Sequence, residues 1–233
     1  MSGTLFLIPT LLNYDVTENI PPAVNDIINA TGFYVVENEK SARHFLKVAG
    51  IKKPFDTLSF SVLDEHTNAL HIGELLKPLL EEKNTVLLSE AGSPAIADPG
   101  SNLVRLAHSK NIRVKPIGGM SSIFMGLMAS GLNGQQFVFH GYLPKERDKR
   151  VHKIKTVEAQ LMKDGYTQIF IETPYRNNHL LEDLLKECKP DTLLCIGASI
   201  TGPDEMIKTK PVSEWKKSTP DIHKVPAVFL LGR

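Results

Sequence analysis

Short apolar runs and amphipathic stretches alternate along almost the whole chain. Leu5-Phe6-Leu7-Ile8 is the first run. Pro21-Pro22 then opens a stretch carrying Val24, Ile27 and Ile28 at i, i+3 and i+4, which stops near Gly32. Proline at the start and glycine past the end mark a helix. Phe33 to Val36 reads as a second strand, Lys40 to Ala49 as a helix stopped by Gly50, and Thr57 to Phe60 as a short strand. Leu70, Leu75, Leu76, Leu79 and Leu80 mark a further helix with a break at Pro78. Strand Thr85 to Leu88, helix Leu103 to Ser109 and strand Ile112 to Pro116 complete a first half. This alternation predicts an α/β protein with a largely parallel sheet covered by helices.

Pro116-Ile117-Gly118-Gly119 reads as a hinge, which gives an N-terminal α/β domain over 1–117 and a C-terminal α/β domain over 118–233. Beyond it the pattern predicts helix Ser121 to Ser130, strand Phe137 to His140 and a long charged helix from Arg147 to Lys163. Strand Gln168 to Glu172, helix Asn178 to Glu187, strand Leu193 to Gly197 and a closing strand Ala227 to Leu231 follow. Mixed strand directions are expected in this second half.

The segment Leu87 to Gly100, reading LLSEAGSPAIADPG, holds the densest chemistry. A buried strand stops there at Ser-Glu-Ala-Gly-Ser-Pro, and a second turn, Ala-Asp-Pro-Gly, leads into a helix. In α/β sheets small molecules bind beyond the strand ends, so this loop is the expected active site. Glu90 stands just past the strand and reads either as a solvated carboxylate or as one paired near a buried region. Ser121, after Gly118-Gly119, reads either as a helix cap or as part of an anion site at a helix start. Neither G-x-G-x-x-G nor a Walker-type loop follows a strand, which removes the common dinucleotide and Rossmann-type methyltransferase signatures.

Composition narrows the class further. Hydrophobic residues make up 42% and charged residues 23% of 233, ordinary values for a globular protein. Net charge is +1, from 27 basic and 26 acidic residues, so any nucleic-acid surface must be a local patch. The stretch Lys145 to Lys155 is the candidate, with six basic residues against two acidic ones; it reads either as a phosphate-binding face or as a solvated helix face. Cys188 and Cys195 match no metal spacing and suit a reducing compartment. Asp64-Glu65-His66 reads as a solvated loop, not a metal site. The start, MSGTLFLIPTLL, has no basic lead and no cleavage signature, and no run approaches bilayer length. The expectation is a soluble, cytoplasmic protein without a metal.

Four ordered motifs carry a family resemblance. They are Ser89-Glu90-Ala91-Gly92-Ser93-Pro94-Ala95-Ile96-Ala97-Asp98-Pro99-Gly100, Met128-Ala129-Ser130-Gly131-Leu132, Phe139-His140-Gly141-Tyr142-Leu143-Pro144 and Glu172-Thr173-Pro174-Tyr175-Arg176. Together they resemble the tetrapyrrole-methylase-fold family of S-adenosylmethionine-dependent methyltransferases, and within it the branch of 16S ribosomal RNA (cytidine-2′-O)-methyltransferases. The resemblance implies two α/β domains with a cofactor cleft between them, a homodimer, and S-adenosyl-L-methionine as cofactor. It implies a cradle of Pro9, Glu90, Ala91, Gly92, Ser93, Ile96, Ser121, Ser122, Gly141, Tyr142, Glu172, Pro226 and Ala227. Glu90, Glu172 and Arg176 are the catalytic candidates, and small-subunit ribosomal RNA is the implied partner.

The chain departs from the family pattern in three places. Pro9-Thr10-Leu11-Leu12-Asn13 lacks the family's glycine-bearing turn, Gly119-Met120-Ser121-Ser122 lacks two prolines, and Ala198-Ser199-Ile200-Thr201 lacks an Arg-Glu pair. These changes bear on the methyl acceptor more than on the cofactor. Methylation of a small tetrapyrrole-type molecule, and a non-catalytic cofactor-binding protein associated with the ribosome, therefore stay open beside ribose 2′-O-methylation.

Overall fold

The computed structural model describes residues 2–14, 17–64 and 66–233. Contacts divide the chain into two units, Met1–Ser121 and Ser122–Arg233, so Gly118 to Ser121 group with the first.

The first unit is built on five strands: β1 (Thr4–Ile8), β2 (Phe33–Val36), β3 (Ser59–Val62), β4 (Thr85–Leu88) and β5 (Arg113–Pro116). They lie in the order β3-β2-β4-β1-β5, and every pairing is parallel. Leu5, Val35 and Leu87 from the three inner strands pack with Leu63, Leu76, Leu79, Leu103 and Ala107 on one face. Register sets up the chemistry. Ile8 and Val36 both pair with Leu88, so β1, β2 and β4 end flush. The residues that follow, Pro9, Glu37 and Ser89, therefore leave at one edge.

The helices of this unit are α1 (Pro22–Ala30), α2 (Glu39–Val48), α3 (Ala69–Glu74), α4 (Lys77–Leu80) and α5 (Gly100–Ser109). Asn38 caps α2, accepting N–H bonds from Lys40 and Ser41. The strand expected over Thr57 to Phe60 lies instead at Ser59–Val62, after a short 3-10 turn at Phe55–Thr57, and two helices depart from the sequence pattern by more than a residue at an end. The helix expected across Leu70 to Leu80 is two short ones, because Pro78 sits in the first turn of α4, where its missing N–H is harmless. α5 starts at Gly100 instead of Leu103, since Gly-Ser-Asn carries no apolar marker of its first turn.

The second unit holds β6 (Phe137–Tyr142), β7 (Thr167–Ile171), β8 (Leu193–Ala198), β9 (Met206–Pro211) and β10 (Ala227–Gly232), in the order β6-β7-β10-β8-β9. β6 and β7 run parallel, and the other pairs are antiparallel, the mixed directions expected. Its helices are α6 (Ser122–Ser130), α7 (Arg147–Asp164), α8 (Asn177–Glu187) and α9 (Val212–Trp215). Phe170 and Phe229 stack at 6.0 Å at the centre of a core with Leu161, Leu180, Leu184 and Ile196. The β9–α9 pair had no counterpart in the sequence pattern. Its strand, Met-Ile-Lys-Thr-Lys-Pro, is an edge, where lysines and a terminal proline discourage further pairing. Cys188 and Cys195 are free and buried. No described helix is long and apolar enough to cross a membrane.

Candidate active site

In the first unit the loop after β4 is tied to the end of β1. Thr10 and Gly92 exchange backbone hydrogen bonds, Thr10 N–H to Gly92 O at 2.9 Å and Gly92 N–H to Thr10 O at 3.3 Å. The buried Ser89 hydroxyl donates to Gly92 O at 2.6 Å, and Ser93 Oγ donates to Met120 O at 3.2 Å. Pro9, the 89–93 turn and Met120 are thus brought together, which places Glu90, Ala91, Gly92 and Ser93 on one knitted edge. Glu90 itself is exposed, with Ser41 Oγ 3.5 Å from its carboxylate. Ile96 is half exposed beside it in sequence, between Ala95 and Ala97, whose φ angles are +66° and +58°. Alanine rarely adopts that left-handed region, and each instance costs of order 1–3 kcal/mol. The loop therefore needs external bonds to keep its shape.

Glu37 supplies one of them. Its carboxylate accepts the Glu90 N–H at 3.1 Å and is hydrogen-bonded to Asp98. Burial, then the charge of Asp98, push the Glu37 carboxyl up to about 7. Burial also raises Asp98, although that carboxylate accepts N–H bonds from Gly100 at 2.7 Å and Ala95 at 2.9 Å. Sequence reasoning passed over Glu37 and Asp98. The signal for Glu37 was present, because it follows the apolar run Phe33–Val36 just as Glu90 follows Thr85–Leu88.

In the second unit the end of β7 carries the corresponding chemistry. Ile171 pairs with Val228, and Ala227 pairs with Ala198, so Glu172, Pro226-Ala227 and Ser199 share one end of the sheet. Tyr142, opposite Ile171, arrives there through a bulge. Gly141 makes that bulge possible, with φ +65° in the region glycine enters without cost. Glu172 is buried. Its Oε1 accepts the Thr173 N–H at 2.6 Å and Arg176 Nε at 3.0 Å, and Arg176 Nη2 bonds the same oxygen. Its other oxygen is buried with no hydrogen-bond partner, as is Asn177 Oδ1. A buried acceptor left unmet costs roughly 1–3 kcal/mol, so these atoms await a donor. Glu172 and Arg176 are thus one ion pair, and Glu90 is in the first unit. Ser121 closes the first unit and Ser122 begins α6.

The basic stretch needs correction. Arg150 is buried, bonded to the buried Asp183 carboxylate through Nη2 at 2.7 Å and Nε at 2.9 Å, and donates from Nη1 to Lys145 O at 2.8 Å. It is therefore a structural residue, unavailable to a phosphate. Arg147 joins the same carboxylate at 3.1 Å, and Lys155 pairs with Glu187 at 3.0 Å. Lys145 and Lys149 remain exposed, and Lys153 is half-buried. Asp64 is exposed, as is His66, while Glu65 lies outside the described residues.

A parallel first sheet, a mixed second sheet and loops gathered at the strand ends define the two-sheet α/β architecture of the tetrapyrrole methylases. Solved structures share it. The methyltransferase CobJ aligns over 100% of this chain and 95% of its own, at TM-score 0.67 and 16% identity, and cobalt precorrin-4 methyltransferase CbiF over 98% and 94%, at 0.63 and 15%. Residues 19–215 match the family model of the tetrapyrrole (corrin/porphyrin) methylases, and the chain belongs to that family of methyltransferases. Curated relatives named ribosomal RNA small subunit methyltransferase I match most of this chain. That of Pseudomonas aeruginosa is 26% identical over 99% of this chain and 79% of its own length. That of Escherichia coli O157:H7 is 28% identical over 98% and 77%. A shorter match, to the Thermotoga maritima protein, is 32% identical over 65% and 64%.

Proposed function

We propose that this enzyme transfers a methyl group from S-adenosylmethionine to the ribose 2′-oxygen of a cytidine in small-subunit ribosomal RNA. The observation that carries the reading is the match, over 98–99% of the chain, to relatives named as methyltransferases of that RNA. In the first unit the donor-binding residues are Pro9, Glu90, Ala91, Gly92, Ser93, Ile96 and Ser121. In the second they are Ser122, Gly141, Tyr142, Glu172, Pro226 and Ala227. The residues fit such a donor. Glu172 offers a buried oxygen with no partner, suited to an ammonium or hydroxyl.

When bound, S-adenosylmethionine supplies an electrophilic methyl group on a sulfonium. The protein's part is alignment, which can supply about 7–11 kcal/mol of the barrier. The Thr10–Gly92 backbone bonds in the first unit and the Glu172–Arg176 pair in the second hold the groups on which that alignment rests. A ribose hydroxyl must also lose its proton to a group within hydrogen-bond reach. Of the three candidates Glu90 fits this role, because its carboxylate is exposed while Glu172 and Arg176 hold each other. The reading carries a homodimer and a cytoplasmic setting with it.

The deciding experiment is labelled methyl transfer onto small ribosomal subunits isolated from cells lacking this modification. The expected result is one 2′-O-methylcytidine per subunit, found by mass spectrometry of nuclease digests. Binding of S-adenosylhomocysteine without any transfer to subunits would overturn it.

A further inference from the structure

The loop Glu90 to Gly100 is held at both of its ends by two carboxyl groups that also hold each other. Glu37, one residue past β2, accepts the N–H of Glu90 at the loop's start. Asp98 accepts the N–H groups of Ala95 and Gly100 at its close. The fit at Gly100 is tight, since a Cβ there would lie 2.8 Å from both Asp98 Oδ1 and Leu87 Cδ2. Glu37 and Asp98 are hydrogen-bonded to one another. Two carboxylates cannot share such a bond when both are ionised, so one proton must lie between them.

We infer that the Glu37–Asp98 pair is a positioning element for the loop after β4, and that the single proton it holds keeps this loop in its binding shape. The pair acts through the backbone of Glu90, Ala95 and Gly100 and touches no ligand. The inference rests on the reading of this loop as part of the methyl-donor site.

The surroundings favour retention of the proton. Glu37 is faced by the charges of Asp98 and Glu90, which raise its carboxyl against the opposing pull of the Glu90 N–H. Glu90 in turn faces Tyr14, whose phenol is raised first by burial and then by the Glu90 charge, and His44 of α2 stacks on Tyr14 at 4.6 Å. Among the described residues, these acids form no group suited to hold a metal ion. With Glu37 at about 7, the proton leaves near neutral pH. Its loss sets two negative charges against each other across a loop that already contains two alanines of positive φ. The carboxyl that is raised in the folded protein stabilises it fully below the ordinary glutamate range, and that contribution is lost as pH rises toward 7.

The test reads the loop directly. Hydrogen exchange at the Ala95 and Gly100 amides of the unliganded protein, corrected for intrinsic rates, is followed from pH 6 to pH 8.5, alongside binding of S-adenosylhomocysteine. Protection and affinity should fall together, affinity by about tenfold at pH 8, as the protonated fraction drops a decade per unit. Glu37→Gln keeps both bonds, with its carbonyl accepting from Glu90 and its amide donating to Asp98. It should hold protection and affinity constant with pH. Glu37→Ala should lose both at every pH. Amide protection that is flat in the wild type, or that slopes equally in Glu37→Gln, overturns the inference. Loss of S-adenosylhomocysteine binding at every pH, with protection behaving as stated, would instead overturn the donor-site reading and leave the latch standing.

Discussion

The two units handle buried charge in opposite ways. Residues 1–121 carry eleven basic and thirteen acidic side chains, and residues 122–233 carry sixteen and thirteen, so the net charges are −2 and +3. At the sheet edge of the first unit, Glu37 and Asp98 meet and manage their charge with a proton and backbone N–H groups. In the second, buried carboxylates are met by fixed donors: Glu172 by Arg176, Asp183 by Arg147 and Arg150, and Glu158 by the Lys189 N–H and the Thr192 hydroxyl. A protonated pair responds to pH across the neutral range. The first unit is therefore the adaptable one, and the second the rigid platform.

The largest effect should come from breaking the rigid side. Asp183→Ala leaves Arg150 buried and uncompensated, and removing one partner of a buried pair costs about 3–5 kcal/mol. Denaturant unfolding should show that loss. A change below about 1 kcal/mol would mean that the second unit does not depend on its ion pairs as the comparison states.

Next in size is Glu172→Gln. It removes the charge that holds Arg176 and changes the buried oxygen that lacks a partner. Affinity for S-adenosylhomocysteine should fall at least about tenfold, a difference of roughly 1.4 kcal/mol, measured by calorimetry. An unchanged affinity would move the donor site away from the end of β7.

Both experiments bear on what could be read from residue order. Strands β2 and β4 were legible to the residue, because Phe33–Val36 and Thr85–Leu88 are apolar runs with clear stops. β9 was not, because Lys208 and Lys210 hide an edge strand among loop-like residues. The Glu172–Arg176 pair was legible as a spacing of four along one motif. Arg150 was misread as part of a basic face, because its partner Asp183 lies on another helix and no local pattern connects them. Glu37 and Asp98 lie 61 positions apart, yet flush registers of β2 and β4 put them together. Long-range pairing of charges, more than secondary structure, is what residue order concealed.

A smaller effect separates the units by pH. In the wild type, stability supplied by Glu37 is present below about pH 4.5 and lost as pH rises to about 7, since its folded-state carboxyl is raised. The sign follows from proton counting: in that window the folded chain holds the proton and the unfolded chain does not. Unfolding free energy should thus decline over this window in the wild type relative to Glu37→Gln. Parallel pH profiles of the two proteins would show that the first unit is no more adaptable than the second.

The smallest effect divides the basic stretch itself. Lys145 and Lys149 are exposed, and Lys149 has a surface pairing with Glu146 at 3.8 Å. Such pairs contribute little and leave the ammonium available to a phosphate. If α7 meets ribosomal RNA, Lys145→Ala and Lys149→Ala should each weaken subunit binding modestly at all RNA sequences and lower the salt slope by about one. Their folding stability should stay within about 0.5 kcal/mol of wild type, as surface changes do. Arg150→Met should do the reverse, upsetting stability by leaving the buried Asp183 to the more exposed Arg147 alone, while leaving the salt slope of the folded fraction unchanged. That contrast, within six residues at the start of α7, tells phosphate contact from scaffold. Equal salt slopes for all three variants would remove α7 from the RNA interface and confine recognition to other surfaces.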